Sequence, residues 1–138
     1  MSVQDVVNQH YEGFNQNSYQ ANAKSYIDPN VVYLDVPTGQ EARGLEGYIQ
    51  YANGWRGAFS NANVHVVDQK VQGNTVVTTF RGRGTFDGQF PTPQGMIPGT
   101  GRDIDVEFKE TATVNGDKIT NLRLEYDPQE LMRQLGIG

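Results

Sequence analysis

Apolar residues recur at steps of three and four at the start of the chain: Val3, Val6, Val7, Tyr11 and Phe14. That spacing puts them on one face of a helix. Ser2 can cap it, and Asp5 lies in the first turn, where a carboxylate suits the helix dipole. Residues 15–18 interrupt the pattern, and a second short helix is predicted over 19–26, ending before Asp28-Pro29. VVYLDVP (31–37) reads as a short strand, followed by a turn at 37–39. A third helix is predicted over 45–59, with Ile49, Ala52, Trp55 and Phe59 on one side. Gly54 and Gly57 lower its intrinsic helix propensity.

After Ser60 the period changes to two. Strands are predicted over 63–71, 75–86, 102–114 and 118–126, with a turn at 72–74 and an Asn-Gly hairpin signal at Asn115-Gly116-Asp117. A last helix starts at Pro128, with Asp127 as its N-cap and Gly136 as its stop. The connection at 87–102, DGQFPTPQGMIPGTGR, holds three prolines and four glycines. Structureless connections of that length are uncommon in compact domains, and are functional lids or disordered. Phe90, Met96 and Ile97 give this one apolar groups to lay over a surface. Helices early and antiparallel strands later indicate an α+β domain with helices packed on one face of a curved sheet. A pocket between the two layers follows, the usual place for a small ligand.

The chain of 138 residues is most simply one domain, 1–138. A net charge of −5 with no basic cluster argues against nucleic acid and against anionic membranes as partners. With no cysteine, thiolate chemistry and disulfides are excluded. No apolar run approaches the ~20 residues of a membrane span. The first residues lack the basic start and apolar stretch of a signal peptide, so a cytoplasmic location is expected.

On strand 102–114 the even positions Ile104, Val106, Phe108, Ala112 and Val114 are apolar, and Glu110 shares their parity. A carboxylate on a buried face is costly unless paired, so Glu110 is either functional or partnered, for example by Arg81 or Arg83 across the sheet. Those arginines share one face themselves and could hold an anion or an enolate, or be solvated or at a dimer contact. Gly82 and Gly84 between them permit close approach to the sheet or bend it. Tyr11, Phe14, Tyr51, Trp55, Phe59, Phe80, Phe90 and Met96 are the candidates for lining a pocket. The aromatic ones are core residues first, and Tyr51, Trp55 and Phe59 lie nearest a pocket mouth. His10 and His65 share no metal-ligand spacing with a carboxylate, so a metal site is not expected.

Three stretches carry a resemblance: GTFDGQFPTPQGMIPGTGR (84–102), VNGDKITNLRLEYD (114–127) and PQELMRQLG (128–136). Together with the element order they resemble the SnoaL-like polyketide cyclases of the NTF2-like, or cystatin-like α+β cone, superfamily. Asp127, Leu131, Gln134, Leu135 and Gly136 fit the family's closing Asp-x-x-x-Leu-x-x-Gln-Leu-Gly run. The resemblance implies helices on the concave face of a strongly bent antiparallel sheet, a homodimer, and ring closure by an intramolecular aldol reaction without metal or cofactor. It also implies Asp127 as general acid/base. The bare sequence offers a competing role for Asp127, capping the last helix, and its parity with Arg123 and Glu125 points outward. The family pairs its Asp with a histidine of the neighbouring strand, and strand 102–114 has none. Two further functions stay open beside a cyclase or isomerase acting on a hydrophobic ketone: a non-catalytic pocket for an apolar small molecule, and a dimeric interaction module. The loop 87–102 would be a lid or a dimer contact.

Overall fold

The computed structural model describes residues 1–92 and 94–137. Helix α1 (Val3–Asn15) begins with a reciprocal capping box, in which Ser2 accepts from the Asp5 backbone and Asp5 from that of Ser2. It buries Val6, Val7, His10 and Tyr11. The predicted second helix is shorter, α2 (Tyr19–Asn22), and continues as a 3₁₀ turn over Ala23–Ser25. Strand β1 (Ile27–Asp35) starts before its apolar run, and β2 (Gln40–Arg43) folds back on it after the turn at 37–39. Helix α3 (Gly44–Ala58) then crosses the sheet. The remaining strands are β3 (Asn63–Gln72), β4 (Thr75–Thr85), β7 (Asp103–Asn115) and β8 (Lys118–Tyr126), and α4 (Pro128–Leu135) follows.

The six-stranded sheet has the order β2-β1-β8-β7-β4-β3. It is strongly curved, with the helices across its concave side. Four of its strand pairs are antiparallel, but β1 and β8 run parallel, which the hairpin-length spacing of the later strands did not indicate. Bulges interrupt β1, β3 and the β7–β8 ladder, and such insertions increase local bend and twist.

The stretch 87–102 is not a structureless loop. It forms a second, two-stranded sheet of β5 (Gln89–Thr92) and β6 (Gly95–Pro98), with Phe90 opposite Ile97. Pro93 lies outside the described residues. Phe90 and Ile97 pack against the core, whereas Met96 is 57 % exposed. The base of this hairpin is moored to the end of α3, because the backbone N–H groups of Asp87 and Gly88 both donate to the Ala58 carbonyl.

Among the described residues, no helix is long and apolar enough to cross a membrane.

Candidate functional site

The concave face carries two buried carboxylates. Alternation on β7 turns Glu110 inward with Phe108 and Ala112, and it is 1 % exposed. Its partners are neither of the two arginines: Arg81 and Arg83 reach Asp105, at 2.8 and 3.3 Å. Glu110 Oε1 accepts from His10 Nε2 at 2.8 Å and from the Tyr11 hydroxyl at 2.9 Å, and Oε2 accepts from the Tyr33 hydroxyl. On the other side of the ring, His10 Nδ1 lies 2.5 Å from the Tyr48 hydroxyl. Burial pushes the Glu110 carboxyl up. His10 beside it and the hydroxyls of Tyr33 and Tyr11 more than offset this, and the carboxyl is held below its usual range. The phenols of Tyr11, Tyr33 and Tyr48 are pushed well up by burial and by the charge of Glu110, so they remain donors.

The second carboxylate is Asp35 at the end of β1, only 3 % exposed. Its Oδ2 accepts from the Tyr51 hydroxyl of α3 at 2.7 Å, and the Tyr126 hydroxyl of β8 lies 3.1 and 3.0 Å from the two oxygens. The Thr38 backbone N–H approaches Oδ1 at 3.4 Å. Burial, then the charge of Asp35, pushes the Tyr51 and Tyr126 phenols up, so both are neutral donors throughout the working pH range.

Each carboxylate borders its own cavity. An inner one of about 80 Å³ is lined by His10, Tyr11, Phe14, Tyr33, Trp55, Phe59, Phe80, Phe108, Glu110 and Leu124, among others. Gly82 lines this wall, and a Cβ on it would lie 2.6 Å from the Phe108 ring, while one on Gly84 would lie 2.9 Å from Phe59 Cβ. An outer chamber of about 450 Å³ is lined by Asp35, Tyr51, Trp55, Phe90, Ile97, Tyr126 and Met132, among others. Its volume falls in the range of small-molecule sites, about 300–1,000 Å³. Trp55 lines both.

Of the expected residues, the structure thus brings Glu110, Tyr11, Phe14, Phe59 and Phe80 to the inner cavity, Tyr51 and Phe90 to the outer chamber, and Trp55 to the boundary. It leaves Met96 outside both. Asp127 is also elsewhere. It is exposed at the start of α4, where Oδ1 accepts from the backbone N–H groups of Gln129 and Glu130 at 3.0 and 3.3 Å. The helix-cap role is the one its geometry fulfils, and the expectation of a pocket acid/base at this position is corrected. Asp35, His10, Tyr33, Tyr48 and Tyr126 were not among the expected site residues. His10 lies on the apolar face that Val3, Val6 and Val7 define, and Asp35 shares parity with Val31 and Tyr33, so the signal was present for both.

Helices packed on a strongly curved sheet are also what known proteins of this fold show. A model of the SnoaL-like polyketide cyclase family matches residues 4–135. The chain belongs to the SnoaL-like family. No curated protein sequence matches it. Solved structures carry the same NTF2-like fold. A presumed SnoaL-like polyketide cyclase from Jannaschia sp. CCS1 superposes with a TM-score of 0.86 at 20 % identity, covering 99 % of this chain and 92 % of the other. IdmH, a presumed polyketide cyclase from Streptomyces antibioticus, gives 0.82 at 23 %, covering 99 % and 100 %. A protein with a ketosteroid isomerase-like fold from Catenulispora acidiphila, in complex with trimethylamine, gives 0.78 at 16 %, covering 96 % and 93 %. Among the described residues of this SnoaL-like chain, no cluster of three or more His, Asp and Glu side chains could hold a metal ion.

Proposed function

We propose that this chain catalyses proton transfer on a hydrophobic ketone, to close a ring or shift a double bond, with Asp35 as the carboxylate that takes up and returns the proton. One observation carries the reading: a buried carboxylate, held by two neutral phenols, stands on the wall of an apolar chamber of ligand size. The chemistry needs a base beside the acidic carbon and a donor beside the carbonyl oxygen. Asp35 removes the Cα proton. The electron pair moves into the carbonyl, and the resulting enolate either attacks a second carbonyl, whose alkoxide then takes the proton from the Asp35 carboxyl, or is reprotonated at another carbon by that carboxyl. Tyr126 donates across both oxygens of Asp35, so it can turn to the enolate oxygen while Tyr51 keeps the carboxylate in place. A preorganised donor in a water-poor site stabilises developing charge more than water does. No part of this requires a cofactor.

A second reading is favoured by a separate observation: each oxygen of Glu110 and Asp35 already accepts a hydrogen bond. Such a site would bind an apolar ligand without acting on it.

The deciding experiment incubates the protein with β-diketones and unsaturated cyclic ketones in D2O and follows deuterium at the acidic carbon by NMR. Exchange that drops about 10²–10⁴-fold in Asp35→Asn, with the fold intact, supports the catalytic reading. Equal exchange in the two proteins, or none above buffer, leaves the binding protein.

A further inference from the structure

Two cavities of unequal size meet at one side chain. Trp55 is half-buried on α3 and lines both. Its ring stands edge-on to those of Phe90, Phe108 and Tyr126, with centroids 5.9, 5.8 and 5.9 Å away. Phe90 and Tyr126 belong to the outer chamber and Phe108 to the inner cavity. The indole is therefore a wall the two cavities share.

We propose that the inner cavity is a subsite for the apolar end group of the ligand, with Trp55 as the wall it shares with the outer chamber. The two together select hydrophobic ketones by end-group length. This rests on the reading above for the ligand class only.

The lining supports an apolar, uncharged guest. Phe14, Phe59, Phe80, Ile104, Phe108 and Leu124 supply most of the wall. Of the polar groups there, Glu110, His10, Tyr11 and Tyr33 are bonded to one another, so an alkyl group strands none of these four, and Asn63 and Arg83 complete the polar lining. An anionic end would meet the Glu110 carboxylate, and the cation on that wall, Arg83, is already paired with Asp105. A void forfeits the van der Waals contacts its lining would otherwise make, so a guest of the right size recovers them. An engineered dry cavity of about 150 Å³ accepts benzene. By that measure the inner cavity of about 80 Å³ takes about three carbon atoms.

The test uses straight-chain 2-alkanones of increasing length, titrated into the whole protein. Trp55 is the sole tryptophan of the sequence and lines both cavities, so its emission reports a guest in either. In the unaltered protein, each added methylene is expected to tighten binding about fourfold until both cavities are filled. Ala62→Leu fills the inner cavity from the segment before β3, and Ile104→Phe fills it from β7. In either variant short ketones should bind as before, and affinity should stop rising about three methylenes earlier. The second variant covers a failure of the first to fold. A plateau at the same length in both variants overturns the proposal, as does tighter binding of ω-carboxylate analogues than of the ketones. Asp35→Asn is read alongside: lost exchange with an unchanged length dependence separates the proton-transfer step from the subsite, and the reverse pattern identifies failure of the subsite alone.

Discussion

The rings of Tyr33 and Tyr51 lie 4.6 Å apart, centroid to centroid, yet their hydroxyls end on different carboxylates, Tyr33 on Glu110 and Tyr51 on Asp35. Two charged groups are thereby held apart by a pair of phenols in contact, each phenol neutralising the local demand of one charge. The two hydroxyls should have separable effects. Tyr33→Phe removes a donor from a carboxylate that is 1 % exposed, and a hydrogen bond to a charged group contributes about 1.5–3 kcal/mol. Tyr51→Phe leaves Asp35 with Tyr126 and a chamber beside it. Urea unfolding is expected to show the larger loss for Tyr33→Phe, and the deuterium-exchange assay the larger loss for Tyr51→Phe.

Glu110 should make the fold acid-sensitive. Unfolded, its carboxyl takes a proton near the ordinary value of 4.5; folded, it does so only at lower pH. Between those two points the unfolded chain binds more protons, so stability rises with pH there. The contribution is complete above about 4.5 and is lost as the pH falls through the lower folded value. Unfolding free energy measured from pH 6 to pH 2 is expected to fall steeply in the native protein and less steeply in Glu110→Gln. That variant should also start lower, because an amide replaces the carboxylate that accepts from His10, Tyr11 and Tyr33, and a hydrogen bond to a charged group contributes about 1.5–3 kcal/mol.

Asp127→Ala is expected to cost about 1 kcal/mol, the usual effect of losing an N-cap, and to leave ketone exchange and ligand binding unchanged. Thermal unfolding and the exchange assay together check this. Lost exchange at full stability would return Asp127 to the chemistry.

Gly88 has the tightest surroundings of the glycines on the hairpin. A Cβ there would lie 1.8 Å from the Gly57 carbonyl oxygen, a backbone atom that cannot turn aside. Gly88→Ala should therefore lift the β5–β6 hairpin off the end of α3, remove Phe90 and Ile97 from the outer chamber, and cost about 1–3 kcal/mol as an overpacked site. Hydrogen exchange confined to residues 87–101 would show the hairpin loosening ahead of the sheet.

Much of this was legible beforehand. Periods of 3.6 and 2 marked α1, α3 and the four later strands, and parity alone placed Glu110 inside. Its partners were not legible, because His10 and Tyr11 lie about one hundred residues away along the chain and Tyr33 nearly as far. Asp127 was drawn toward the chemistry by a family motif, although Asp-Pro before an amphipathic run already had a local explanation. The hairpin at 87–102 was hidden by its prolines and glycines, which are poor strand formers. Phe90 and Ile97 facing each other across the register, both against the core, hold it in place instead.

The parallel pairing of β1 with β8 sets the order in which this protein can become functional. Asp35 and Tyr126 are separated by 91 positions in the chain and meet only when β8 docks beside β1. Contacts between distant segments form slowly, since a large loop must close before anything is gained. A nascent chain can therefore fold α1 and assemble the β3–β4 hairpin while its outer chamber still lacks a wall. In refolding, ligand binding should return with the slowest phase, after most secondary structure is already present.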